Sequence, residues 1–367
     1  MSSTSNESKW VYYKDGSSFK TKAEQIFNNV EATDLFEDHV NLSWTPGADV
    51  THITYANAND AENIQTINLT DEEKAAGKYT LGGLNPTSTY TITIYKNDVK
   101  RGQLQVTTPA AMPAANFKYS LASDVTVISQ DLIDEIAEKA KAAAGNETNY
   151  SATIGIPAGA KVALYGINDS DGGKTNVTIP DGMSVTFFGL AGGDAPTINL
   201  DKNFDIAGSH AFIKFQNVKL EENGAGYFIN QSKACTVSEF TLENCEVSNL
   251  KTSFFRLQGS DAKSIGKLTL KNSIFTKLCA GYGFIHVDAG SGAGHVDNVE
   301  IDGCTFNSIC VTGKVFIFSK KTDMQDITIK NSTFYNCNGN GQYFVDFNTD
   351  TFGPSTFTIE NCIFGKS

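Results

Sequence analysis

The chain has 367 residues, with 29 Lys and Arg against 41 Asp and Glu, for a formal net charge of −12. Only two arginines are present, Arg101 and Arg256, which argues against a nucleic-acid partner, since that needs a basic face. The balance also disfavours a polyanionic ligand and favours a neutral or lightly charged one. The chain carries no apolar run of the roughly 18 residues a membrane-spanning helix requires.

Residues 1–24 form a polar N-terminal tail, opening Met1-Ser-Ser-Thr-Ser-Asn-Glu-Ser without an apolar signal core. This is the start expected of a mature chain behind a removed signal. Trp10, Tyr12 and Tyr13 in the tail are expected to pack on the domain that follows.

Residues 25–108 read as short strands without helix. Val40-Asn-Leu-Ser-Trp44 alternates in polarity, the pattern of a half-buried strand, with Trp44 as a core anchor. Further on comes Tyr79-Thr-Leu-Gly-Gly-Leu-Asn-Pro-Thr-Ser-Thr-Tyr90. The early Trp and the Leu84-Asn-Pro86-Thr-Ser-Thr-Tyr90 corner resemble a fibronectin type III domain over roughly 80 residues. That resemblance implies a β-sandwich in which the Tyr90 hydroxyl bonds back to the chain just upstream.

Residues 109–128 are a linker that begins in a Pro/Ala-rich stretch. The spacing then predicts a helix over 129–145. Ser129 is the N-cap, Leu132, Ile133, Ile136 and Ala140 form one apolar stripe, and Gly145 is the stop. A solenoid exposes an open core at its end, so this helix is expected to cap the coils that follow; a partner-binding helix is the alternative.

Residues 146–367 carry a repeated phrase. Copies stand at Phe240-Thr-Leu-Glu-Asn-Cys, Leu268-Thr-Leu-Lys-Asn-Ser, Val299-Glu-Ile-Asp-Gly-Cys, Ile327-Thr-Ile-Lys-Asn-Ser and Phe357-Thr-Ile-Glu-Asn-Cys, with weaker ones at Val185 and Ile213. The markers Gly189, Asn217, Asn244, Asn272, Gly303, Asn331 and Asn361 are 28, 27, 28, 31, 28 and 30 residues apart. Such a period signals stacked supersecondary units. Period-two alternation inside each copy means a strand with one buried face. A second short apolar run follows each copy, as at Ser253-Phe-Phe-Arg-Leu and Gly283-Phe-Ile-His-Val-Asp. The fold class is therefore all-β, with a right-handed parallel β-helix after the N-terminal sandwich, its coils about 4.8 Å apart. The repeated Asn or Gly turns the corner, because both tolerate a left-handed backbone.

Of the seven cysteines, Cys245, Cys304 and Cys362 share one repeat position with Ser273 and Ser332 between them, and read as small buried residues. Cys279 and Cys310 each lie seven residues past their marker in neighbouring coils. They are within reach of a bridge, although an unbridged stack is the expected state. No Cys/His spacing suited to a metal occurs, and no metal ligand is assigned.

The β-helix portion resembles the pectate-lyase-like superfamily. The whole layout resembles a group of gut-bacterial cell-surface lipoproteins encoded beside SusC/SusD-like glycan-uptake systems. The resemblance implies outer-membrane anchoring in the precursor and a role with polysaccharide or oligosaccharide. The first cysteine here is Cys235, so the lipid-bearing cysteine of that group has no counterpart. The chain stops directly after a repeat copy, and the expectation is that either further residues follow 367 or another surface covers that end.

The four signatures of polygalacturonase-type β-helix enzymes are not assembled; Asn348-Thr-Asp350 matches one of them alone and reads as a turn. Asn168-Asp-Ser-Asp-Gly-Gly173 likewise reads as a turn, because Pro180 stands where a calcium loop needs its Glu. Aligning the second runs places Arg256, His286, Ile317 and Asp346 in one outward column, and Gln258, Asp288, Ser319 and Asn348 two residues on. Arg256, His286, Asp288 and Asp346 are thus the catalytic candidates, with His286 as acid or base. Gln258, Asn348, Tyr282 and Tyr343 are the ligand-binding candidates. An ordinary polar exterior is the competing reading. The sequence calls for no cofactor, with calcium left open. The leading expectation is a non-catalytic glycan-binding or accessory protein; a polysaccharide lyase or hydrolase, and a structural subunit of an outer-membrane complex, are the alternatives.

Overall fold

The computed structural model describes residues 24–31, 34–122, 124–339 and 341–365, and the chain divides into two compact units, Met1–Pro109 and Ala110–Ser367. Trp10, Tyr12 and Tyr13 lie outside the described residues.

The first unit is antiparallel. His39–Ser43 pairs with Lys78–Gly82, and a four-stranded sheet runs Gln65–Asn68, His52–Asn57, Thr89–Lys96, Val99–Thr107. The alternating residues Val40, Leu42 and Trp44 point into a core shared with Ile53, Leu81, Ile92 and Ile94. The Tyr90 hydroxyl accepts the Asn85 N–H at 2.9 Å. The expectation of strands without helix fails at Asp71–Ala76, a six-residue helix. Its start is a capping box: the Thr70 hydroxyl accepts the Glu73 N–H at 3.2 Å, and the Glu73 carboxylate accepts the Thr70 N–H at 2.7 Å.

The second unit is a right-handed parallel β-helix of about seven turns. Each coil contributes three strands to three sheets. In one coil these are Gly208–Gln216 in the first sheet, Lys219–Glu222 in the second and Tyr227–Gln231 in the third. The repeated phrase stands in vertical register: Ile213, Phe240, Leu268, Val299, Ile327 and Phe357 pair in succession.

The marker residues behave as backbone chemistry requires. Asn217, Asn244, Asn272, Asn331 and Asn361 have φ between 48° and 58°, and Gly303 has φ 65°. The Asn244 amide reaches the Asn217 side chain at 3.3 Å, and Asn361 reaches Asn331 at 3.3 Å. Gly189 departs from the pattern. Its backbone is not left-handed, and glycine is required there because a Cβ would collide with the Asn217 carbonyl of the next coil.

The core is a pile of aromatic rings. Phe254, Phe284, Phe316 and Phe344 stack at 4.6 to 4.7 Å, and Phe275, Phe306, Phe334 and Phe364 at 4.7 to 4.9 Å. The two columns meet edge to face, as between Phe284 and Phe306 at 86°. The coil spacing thus sets the ring spacing.

The helix over Gln130–Ala144 is capped by the Ser129 hydroxyl and ends at Gly145 with φ 61°. Ile133, Ile136, Ala137 and Ala140 are buried in the same core as the coils. Ahead of it, Phe117–Ser120 adds a strand to the first sheet and Val127–Ile128 one to the second, so part of the segment read as linker is built into the coils.

Candidate functional site

The third sheet positions the candidates. Its outward column includes Asn230 and runs on through Arg256, His286, Phe318 and Asp346. Ile317, placed in this column by the sequence, instead faces inward and is fully buried, and Ser319 is buried in the Leu257 and Val287 column. The error has a physical source. The loop between the corner marker and this column is not constant, with 12 residues from Asn244 to Arg256, 14 from Asn272 to His286 and 15 from Gly303 to Phe318, so spacing alone does not fix the register of the third strand.

Arg256, Tyr282, His286 and Asp288 form one cluster. Arg256 grips Asp288 in the next coil with both arms of its fork, Nε to Oδ1 at 3.1 Å and Nη2 to Oδ2 at 2.7 Å. The Tyr282 ring covers the guanidinium, 3.7 Å from its carbon. His286 Nδ1 accepts the Gly283 N–H at 3.2 Å, which puts the neutral ring's proton on Nε2, 3.7 Å from Asp288 Oδ2. One face of His286 is occupied by Phe318, stacked at 4.6 Å and 18°. The side chains of Arg256, Asp288 and His286 are 14%, 19% and 14% exposed.

Burial alone would raise the Asp288 pKa; the His286 and Arg256 side chains outweigh it and bring the carboxyl down to about 2. Burial likewise works against the Arg256 charge, and the hydrogen bond and charge of Asp288 reverse it, so the guanidinium pKa is raised. The pair is ionised and mutually satisfied at neutral pH.

Asp346 shares the column but stands beyond Phe318, and its carboxylate accepts the Asn348 N–H at 2.7 Å. Gln258 lies at the end of the Arg256 strand, with its N–H on the Gln231 carbonyl at 2.9 Å. Tyr343 projects from the loop before the last strand of this sheet, 72% exposed and outside the cluster. Among the described residues no group of three His, Cys, Asp or Glu side chains is placed to hold a metal ion.

Two members of the strip escaped the sequence reading. Phe318 was displaced by the register error. Asn230 belongs to the run Tyr227-Phe-Ile-Asn-Gln, which carries the same pattern one coil upstream of Arg256 and would have been found by extending the alignment. The Asn230 Oδ1 is buried and has no hydrogen-bond partner among the described residues. Next to it, Asp205 accepts from the Asn176 and Asn203 amides at 3.1 and 3.2 Å, and burial pushes its pKa up against them.

Residues 204–367 match the family model described as a right handed beta helix region. The matched stretch contains the outward column from Asn230 to Asp346. No curated protein matches the chain.

Proposed function

We propose that this chain is a non-catalytic glycan-binding protein that captures polysaccharide at a bacterial outer-membrane surface, using the outward strip of the third sheet. One observation carries the reading: Arg256 and Asp288 are closed on each other beneath Tyr282, with Asp288 held at a pKa of about 2. An arginine so engaged is not free to act as a base, and a carboxylate so acidic holds no proton to give. What the strip offers instead is aromatic side chains, Tyr282 and Phe318, beside the neutral amide of Gln258. Ring faces suit the C–H face of a pyranose, and amides suit its hydroxyls. The paired charges add no net charge, in keeping with a neutral sugar chain.

The first unit fits a fibronectin type III spacer, a reading supported by the buried Trp44 and by the Tyr90 hydroxyl on Asn85. The helix over Gln130–Ala144 fits a cap on the first coils, supported by its buried apolar face. Surface anchoring and SusC/SusD-type partners rest on the layout of the chain. A catalytic reading has one observation in its favour, the approach of His286 Nε2 to Asp288.

Native electrophoresis through gels containing neutral polysaccharides, with and without calcium, tests the proposal. The wild type is expected to be retarded on at least one of them, and Tyr282→Ala and Phe318→Ala to bind at least tenfold more weakly. Mobility unchanged on every neutral glycan overturns the reading. New reducing ends or unsaturated products that vanish in His286→Ala would establish the catalytic one in its place.

A further inference from the structure

Cys279 and Cys310 follow equivalent strands of adjacent coils in the second sheet. The register there pairs Leu278 with Ile309, so the next residues, the two cysteines, stand one above the other. The backbone repeats the same step each time: Cys279 N–H donates to Leu250 at 2.9 Å, Cys310 N–H to Leu278 at 3.0 Å, and Asn338 N–H to Ile309 at 3.0 Å. Adjacent coils lie about 4.8 Å apart, inside the roughly 4.4–6.8 Å between Cα atoms that a disulfide spans. Both cysteines are fully buried thiols.

Their backbone sharpens the point. Cys279 and Cys310 have φ 69° and 57°, a left-handed corner that Asn338 occupies one coil later with φ 55°. Asparagine is a natural occupant of that region and cysteine is not, so backbone preference does not explain the pair. The other cysteine column differs. Cys245, Cys304 and Cys362 alternate with serines, which puts them two coils apart and out of reach of one another. Cys337 precedes Asn338, is out of step with Cys310 by one residue, and directs its thiol to the Phe306 and Tyr335 carbonyls.

We propose that Cys279 and Cys310 are a modification site, forming a cross-coil disulfide when the chain folds in the presence of a disulfide oxidant. The two thiols give up two protons and two electrons. A sulfur–sulfur bond forms in the protein while one breaks in the oxidant, which leaves as two thiols. Because both sulfurs are sealed in the core, exchange takes place before the last coils close, and the redox state set during folding is then retained. The inference rests on the coil register and is independent of the glycan reading.

The test is refolding of the full chain in a mixture of oxidised and reduced glutathione, followed by thiol counting in denaturant. The expected count is five, the seven cysteines less the bridged pair. A non-reduced digest should yield one linked species containing Cys279 and Cys310, released by dithiothreitol. The oxidised protein should unfold at a higher temperature than the reduced one, and Cys310→Ser or Cys279→Ala should abolish that difference. The wild-type count needs no variant to fold. Seven free thiols after oxidative refolding, or a linked species containing Cys337, would overturn the proposal.

Discussion

The inward and outward columns of the third sheet obey different rules. Facing the core, every step is apolar: Phe255, Ile285, Ile317 and Val345 pair in succession, and at the corner just before them Phe254, Phe284, Phe316 and Phe344 stack ring on ring. Facing out on the same strands, Asn230, Arg256, His286, Phe318 and Asp346 differ at every step. Packing against an apolar neighbour above and below dictates the first column. No such demand acts on the second, and the cluster of Arg256, Asp288, Tyr282 and His286 is where the proposed ligand surface is placed.

The contrast can be broken by mutation. The largest effect should come from Phe284→Ala, which empties a site lined by Phe254, Phe316, Phe275 and Phe306. A loss of about 3–5 kcal/mol in urea unfolding is expected. A loss below about 1 kcal/mol would mean that the aromatic pile is not the source of coil stability. Next comes Asp288→Asn, with a loss of about 2 kcal/mol at pH 7. Its folded pKa of about 2 lies below the ordinary value of 3.8, so its contribution is present above pH 4 and lost as pH falls through 2. The stability gap between wild type and variant should therefore close over that window, and a gap independent of pH would contradict the ion pair. Asn244→Ala should cost about 1 kcal/mol through its left-handed backbone, and Asn244→Gly far less; equal losses would shift the explanation to the side-chain ladder. Phe318→Ala, on the outward face, should change stability by less than about 1 kcal/mol, since the ring is only half-buried where it stacks on His286.

The repeat made the coils legible because period-two alternation and a corner residue are direct consequences of stacking. What it left open lay in the corners. Loops between sheets vary by a few residues without disturbing the strands, so alignment of the second runs placed Ile317 where Phe318 stands. The Asp71–Ala76 helix is too short to show a helical period, yet its Thr70/Glu73 box was readable. The Arg256–Asp288 pair crosses from one coil to the next, and the sequence places Asp288 in a neighbouring column among the catalytic candidates; only the side-chain geometry shows the two carrying each other's charge. Gly189 occupies its marker position for want of space, a cause that the sequence pattern does not distinguish from a left-handed turn.

The claim that the outward strip is a ligand surface is tested most directly by isothermal titration of the wild type and Phe318→Ala with a neutral oligosaccharide drawn from whichever polysaccharide retards the protein in gels. The account predicts saturable binding by the wild type and a loss of at least tenfold in the variant, with its unfolding midpoint nearly unchanged. Equal affinity of the two proteins would place the binding surface elsewhere and contradict the account.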